Sequence, residues 1–379
     1  MEWVLNTIYY VVPFLILLGI LVFVHEFGHF LIARMVGVQV SAFSIGFGKE
    51  LWGRKDKKGT YWKISAIPLG GYCQFLGDAD ASSSTADGAV HELSDEEKKK
   101  AFPFQNPFKK LAIVIAGPGF NYLFAVLLYA GLFFAFGKIT IPPIVGEVMP
   151  EGAAAQAGII AGDRIISING EQINSFADIS REVAMAADYE VKLEVKRGNE
   201  MLTFAFPLTE LETGDGDDTG AKNKQFMLGV KSVSAIEMSH EKVSLPQAVV
   251  MGANEVWDVT VTTLRGVGQM ITGKRGGEDV GGVIRIAEMT GDISKTHSVV
   301  EFIVFMALLS VNLGLINLFP IPVLDGGHVV FFLIEIITGR EVNEKVKEYL
   351  FRIGLALLLA LMVFATWNDI VHLINRWFN

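Results

Sequence analysis

Four apolar runs constrain this chain more than any other feature. Trp3 to Val24, Leu111 to Gly137, Phe302 to Leu324 and Ile353 to Trp367 are each long enough, alone or with their flanks, to cross a bilayer. Inside hydrocarbon every backbone polar group must be satisfied within the segment, so such runs are expected as helices. A content of 51% hydrophobic residues and 27 Phe agrees with a chain partly buried in lipid. The first run has no basic start, opens with Glu2 and ends in HEFGH rather than in small residues, so it is read as a retained span and not as a cleaved leader. The expected fold class is a multi-span α-helical membrane protein with four transmembrane helices, for which the lipid bilayer is a permanent partner.

Basic residues give the expected sidedness. Arg34, Lys98 to Lys100, Lys109, Lys110, Arg340, Lys345 and Lys347 flank the first-to-second and third-to-fourth connections. Positive residues favour the cytoplasm, so both termini and the long segment 138–298 are expected outside. The lone Cys73 excludes an intrachain disulfide, and a formal charge of -9 gives no reason to expect a nucleic acid partner.

Seven segments follow. Residues 1–34 form the first span. Residues 35–108 form a β-hairpin region on the cytoplasmic side, where IGFGKELWGRKDKKGTYWKISAIPLGGYCQFLG alternates glycine punctuation with short aromatic and β-branched runs, followed by a polar loop that contains His91. Residues 109–137 form the second span. Residues 138–240 form an outer α+β module, with short strand patterns at 145–148, 164–168 and 191–195 around two helical stretches. Residues 241–298 form a helical segment, 299–338 the third span, and 339–379 a loop and the fourth span.

The chemistry lies in two clusters. His25 and His29 are four apart, so on a helix they share a face and present two imidazole nitrogens to one ion, with Glu26 beside them. Ionisable groups in an apolar span are expensive and carry a function. A zinc ion held there activates water near neutral pH, and a neighbouring carboxylate can take its proton and pass it to a leaving amine. Catalytic zinc commonly has three protein ligands, so a third is required at matching depth. Asp325, at the end of the uncharged run that follows Glu301, is the expected third ligand. If the termini lie outside, the first and third spans run in the same direction and both clusters fall near their inner ends. Pro320 and Pro322 cannot continue a regular helix. The unwound backbone they leave can pair with an extended substrate, and Asn317 is expected to hydrogen-bond substrate backbone or a developing oxyanion. His328 is a weaker ligand candidate because Gly326 and Gly327 loosen the local geometry. Asn121 is read as a packing or hinge residue.

Two resemblances follow from these motifs. EGAAAQAGIIAGDRIISINGEQI resembles the PDZ family, which implies an extracytoplasmic α+β PDZ domain that binds peptides by strand addition. Phe226 to Val230 is the expected groove strand, with Phe226, Leu228 and Gly229 as the groove residues. HEFGHFLIARMVGV, FSIGFGKEL, IPLGGY, AGPGFN, the PDZ-like stretch and SVNLGLINLFPIPVLDGGH together resemble the site-2 protease family. That resemblance implies an intramembrane zinc metalloprotease of the bacterial inner membrane, with Zn2+ on His25, His29 and Asp325 and Glu26 as catalytic acid/base. It implies that the strands around Gly70 and Gly71 pair with an unwinding substrate, and that the substrates are single-pass transmembrane proteins such as anti-sigma factors, or remnant signal peptides. The chain departs from the pattern in having one PDZ stretch where well-known members have two, Lys49 where proline is frequent, and Val283 where proline is common. Two other readings remain open: a membrane-anchored PDZ adaptor with a structural metal, and a metal transporter. A closed structural site would need no Glu26, and a transporter should carry ionisable groups along a continuous path.

Overall fold

A computed structural model describes residues 2–77, 93–150, 152–184, 190–213, 223–232, 239–273 and 281–378. His91 and most of the polar loop around it lie outside the described residues. The chain divides into two compact units: residues 1–130, 252–260 and 281–366 in one, and 131–251, 261–280 and 367–379 in the other.

The first unit is built on long apolar helices. Helix α1 spans Glu2–Met35, α3 Pro107–Phe136, α8 Val299–Asn317 and α10 Glu344–Phe378, and each holds a stretch long and apolar enough to cross a membrane. The chain is therefore a multi-pass helical membrane protein. Between α1 and α3, β1 (Val40–Lys55) and β2 (Tyr61–Phe75) form one hairpin, followed by a single turn, α2 (Asp95–Lys98). The strands are longer than the short runs expected from the sequence, because the glycines bend them instead of ending them. Gly46 has a φ of +88° and packs against the Ser65 and Ile67 carbonyls, where a Cβ would not fit. The hairpin consequently curls on itself, so that Ile45 stands opposite both Gly71 and Ile64.

Aromatic side chains fasten this hairpin to α1. The Phe43 ring is fully buried, with its centroid 4.6 Å from Trp62 and 5.5 Å from Phe30. Removing a phenyl group from such a place costs about 3–5 kcal/mol. At the turn, Asp56 accepts from Arg34 in the last turn of α1 and, at 3.2 Å, from the Trp62 indole. Partial burial of its carboxyl works to raise its pKa. Hydrogen bonds from Arg34, Trp62 and the Thr60 and Lys58 backbone outweigh that and bring it down to about 2.

Helix α8 stops at Asn317, as two prolines within three residues require. The chain then makes tight turns to Leu324, and α9 (Asp325–Thr338) starts at Asp325. Gly326 and Gly327 abut the carbonyls of Leu318, Phe319 and Ile321, so the absence of side chains lets the first turn of α9 lie against the unwound stretch. At the far end of α9, the buried Lys110 of α3 pairs with Glu335 at 2.9 Å and Glu341 at 3.5 Å. Helix α7 (Val283–Lys295) packs on α1, where Tyr10 donates to Asp292 at 2.9 Å.

The second unit contains a small α+β module. Its strands are β3 (Lys138–Thr140), β4 (Val145–Val148), β5 (Arg164–Ile168), β6 (Glu171–Gln172), β7 (Glu190–Arg197), β8 (Glu200–Pro207), β9 (Thr209–Thr213), β10 (Asn223–Met227), β11 (Val230–Ser232) and β12 (Ser239–Glu241). A four-stranded sheet in the order β6-β5-β7-β8 carries α4 (Ala153–Ala157) and α5 (Phe176–Ala184). Val191, Leu193 and Val195 alternate with polar residues along β7 and form the core with Ile165, Ile168, Ile179 and Val183. The AGD motif has a definite role: the Asp163 carboxylate, with no exposed side-chain surface, accepts two bonds of 2.8 Å from Arg197. Burial would raise the pKa of Asp163, but this guanidinium and the Ile160 N–H hold it below the usual carboxylate range.

The run 226–230 is not one continuous strand. Strand β10 ends at Met227 and β11 starts at Val230. Between them Gly229, with a φ of +76°, lies so close to Gly152 that neither position has room for a Cβ. Helix α6 (Leu245–Ile271) follows. Its Gly252 meets the Val126 and Ala130 backbone within the first unit, and its Arg265 pairs with Glu171 at 3.3 Å within the second.

Candidate metal centre

Helical spacing brings His25 and His29 to one side of α1, where they are 8% and 7% exposed. The start of α9 delivers Asp325 to the same place. The two Nε2 atoms are 3.3 Å apart, and the Asp325 Oδ2 lies 3.1 Å from that of His25 and 3.5 Å from that of His29. A tetrahedral ion with bonds of about 2.0–2.1 Å requires its ligands to be about 3.3–3.4 Å from one another. The three atoms thus have the spacing of one face of such a tetrahedron. Oδ2 is buried and meets no donor in hydrogen-bonding geometry, although it faces two imidazoles. A shared cation satisfies all three atoms at once, so the donor set fits zinc. His328 is not part of this group; its ring packs against Phe332 and Phe351.

Helix α3 supports the histidines from behind. His29 Nδ1 donates to the Ile113 carbonyl at 2.8 Å, which puts the ring proton on Nδ1 and the lone pair on Nε2. His25 Nδ1 lies 3.1 Å from the Asn121 Nδ2, and Asn121 is fully buried. The two helices cross where neither has a side chain. A Cβ on Gly28 would stand 2.9 Å from the Phe120 Cβ, and one on Gly117 would fall among the imidazole atoms of His25 and His29. These supports were not recognised in the sequence. The available signal was AGPGFN, two glycines and an amide inside an apolar helix.

Glu26 faces the hairpin. A backbone hydrogen bond from Cys73 reaches its carboxylate, and a Cβ on Gly71 would lie 3.6 Å from the Glu26 Cγ. Gly70, with a φ of +137°, faces the Phe47 ring instead. Asn317 closes α8, and Pro320 and Pro322 occupy the unwound stretch between it and Asp325. Of the residues named from the sequence, the structure thus gathers His25, Glu26, His29, Gly71 and Asp325 into one neighbourhood. Leu228 and Gly229 are buried in the second unit, with Phe226 on β10 next to them in the chain.

Buried histidines and a carboxylate converging among spanning helices define a membrane-embedded metalloprotein. Comparison with known proteins names its kind: residues 13–361 match the family described as Peptidase family M50, and the chain belongs to that family, the site-2 proteases. It is 41% identical to a protein of Agrobacterium fabrum over 97% of both chains, and 39% identical to one of Rhizobium meliloti over 98% of this chain and 99% of the relative. A third, from Rickettsia conorii, is 38% identical over 96% and 99%. All three carry the provisional name of zinc metalloprotease. The chain is therefore a metalloprotease, and its metal is zinc.

Proposed function

We propose that this metalloprotease cuts within the membrane, on the transmembrane segments of single-pass proteins such as anti-sigma factors and on remnant signal peptides. In this reading His25, His29 and Asp325 hold the zinc and Glu26 is the acid/base. The observation that carries it is the meeting of three donor atoms at 3.1–3.5 Å inside an apolar helix bundle, with an adjacent carboxylate under a strand. Zinc, when bound, supplies the Lewis acidity that polarises a scissile carbonyl and activates water near neutral pH. Glu26 removes the proton from the attacking water and returns it to the departing amine, held in place by the Cys73 backbone. The Ile113 carbonyl keeps the His29 ring oriented throughout.

A helical peptide bond is shielded by its own hydrogen bonds, so the substrate must unwind first. Strand β2 around Gly70 and Gly71 offers replacement partners beside Glu26, and the unwound stretch with Pro320 and Pro322, preceded by Asn317, offers more. The basic flanks support a bacterial inner-membrane location, with both termini outside and the active site near the cytoplasmic side. Segment 138–240 is read as a PDZ domain that receives extracytoplasmic peptide near Phe226, Leu228 and Gly229. The α+β order and the bonds from Met149 and Ala154 to the Gly229 and Leu228 carbonyls, 2.8 and 2.9 Å, support that reading.

The test is Glu26→Gln in proteoliposomes with a reporter transmembrane substrate. Zinc content is expected to stay at the wild-type level while cleavage falls by about 10²–10⁴-fold, the range for loss of a positioned acid/base. Cleavage at the wild-type rate would refute the assignment.

A further inference from the structure

The hairpin has a second edge that no step of the proteolytic reading uses. Its curl lays four stretches of strand side by side: 71–75 pairs with 40–45, that stretch with 61–65, and 61–65 with 50–55. Gly71, beside Glu26, lies on one outer edge. Trp52 lies on the other, in the row Gly71, Ile45, Ile64, Trp52 that runs straight across the sheet. At about 4.8 Å per strand spacing, the two edges are roughly 14 Å apart.

The far edge has two halves. Around the turn, Arg54, Lys55, Lys57 and Lys58 are exposed and make no ion pair among the described residues. The acid between them, Asp56, is taken by Arg34 and by the Lys58 and Thr60 N–H groups, so four positive charges stay uncompensated there. Along the strand before the turn, Leu51 and Trp52 are 67% and 53% exposed, and Ile64, opposite Trp52, is open as well. Beyond them Lys49 and Glu50 offset each other in charge, and Glu50 accepts from the Tyr61 hydroxyl at 2.7 Å. Charges on a free edge commonly guard it against pairing with another chain. That role does not explain a leucine and a tryptophan left open on the same edge.

Helix α1 sets where this edge meets the bilayer. Arg34, in the last turn of the span, holds the hairpin turn through Asp56 and, at 2.9 Å, through Thr60. The four cations therefore sit where α1 leaves the hydrocarbon. Gly71, in the row of Trp52, stands beside Glu26, eight residues back into the span from Arg34. The strand thus runs from the turn into the bilayer, covering up to about 13 Å between Lys55 and Leu51. The headgroup layer is about 5–8 Å thick, so the basic half lies within it and the apolar half reaches the acyl chains.

We infer that the 50–58 edge is a lipid-binding surface selective for acidic phospholipids. Arg54, Lys55, Lys57 and Lys58 take the headgroup phosphates, and Leu51 and Trp52 lie among the upper acyl chains. A basic residue at a negatively charged leaflet strengthens association about fivefold, and tryptophan favours this same boundary. The surface is continuous with the lipid-facing sides of the spans and requires neither zinc nor substrate. Through the row to Gly71, it also fixes the depth at which the hairpin covers Glu26.

The experiment reconstitutes the full chain in phosphatidylcholine bilayers and reads Trp52 as the fluorescence difference between each protein and its Trp52→Phe counterpart. Phosphatidylglycerol or phosphatidylcholine with brominated acyl chains is included at equal mole fraction, and bromine quenches an indole that it touches. Both lipids are expected to quench Trp52, with phosphatidylglycerol at least about twofold more effective. That preference is expected to vanish at high salt and in the variant combining Arg54→Gln, Lys55→Gln, Lys57→Gln and Lys58→Gln. A variant combining Lys98→Gln, Lys99→Gln and Lys100→Gln, which removes lysines ahead of the second span, is expected to keep it. Equal quenching by the two lipids in the wild type, or a preference that survives in the fourfold variant, overturns the inference. Quenching by neither lipid overturns it in favour of a protein partner over this edge. Should the fourfold variant not fold, a wild-type preference unchanged by salt overturns it instead.

Discussion

Replacing Gly117 by alanine tests the geometry of the centre with a single methyl group. The added Cβ would lie 2.5 Å from the His29 Cε1 and 2.9 Å from the His25 Cε1, and closer still to the His29 Nε2. Ordinary contact begins near 3.4 Å. His29 must therefore retreat by more than about 0.9 Å and His25 by about 0.5 Å, against a tolerance of about 0.2 Å for metal–ligand distances. His29 cannot retreat freely, because its other nitrogen is tied to Ile113. Losing one good ligand geometry is expected to weaken zinc binding by at least about 100-fold, or roughly 2.7 kcal/mol. Chelator competition on the purified full chain measures this directly, and cleavage should fall with zinc content. Gly119→Ala is the control, since a Cβ there meets nothing within 4 Å. Alanine is the better helix former by about 1 kcal/mol, so a loss confined to position 117 cannot come from helix propensity. A Gly117→Ala protein that binds zinc as tightly as wild type would show that the three donor atoms do not share an ion.

Three further outcomes follow from the same structure. Gly71→Val is expected to reduce cleavage by at least about tenfold while sparing zinc affinity, because its side chain would collide with the Ser44 carbonyl and crowd the Glu26 side of the hairpin; equal losses of both would instead indicate collapse of the centre. Arg197→Ala leaves the buried Asp163 carboxylate without its guanidinium and is expected to destabilise the α+β module by about 2–3 kcal/mol, read as a lower denaturant midpoint. The Asp56 carboxyl is held down to about 2 in the folded protein, so its contribution to hairpin stability is complete above the ordinary aspartate value near 4 and is lost as pH falls toward 2. Thermal unfolding between pH 2 and 6 should show that loss in wild type and not in Asp56→Asn.

The parts of the fold that were legible in the sequence are those whose signal is a period or a long run. The four spans follow from uninterrupted apolar residues, and the strands at 145–148, 164–168 and 191–195, the last of which runs over 190–197 in the fold, from short patterns around glycine turns. The meeting of His25, His29 and Asp325 was legible because ionisable side chains stand out in an apolar background. The helix break before Asp325 was legible because proline has one physical meaning there. The crossing of α1 and α3 was not, since its marks are missing side chains at Gly28 and Gly117, and glycine in a membrane helix has many uses. Nor was the role of Asn121, which depends on a histidine 96 positions away in the chain. The run 226–230 looks like one strand by composition, and only the close approach of Gly229 to Gly152 divides it.

The ammonium of Lys110 has a mechanical consequence. Helix α9 carries Asp325 at its head and Glu335 ten residues on, roughly 15 Å away along the axis. Its heel is clamped to α3, the same rod that braces both imidazoles. Any tilt of α9 that drew its carboxylate away from the histidines would have to tear an ion pair out of an apolar setting. The jaw that admits a substrate must therefore hinge elsewhere, and the curled hairpin over Glu26, fastened by edge-on and tilted rings with its Arg34–Asp56 pair confined to the part-exposed turn, is the softer side.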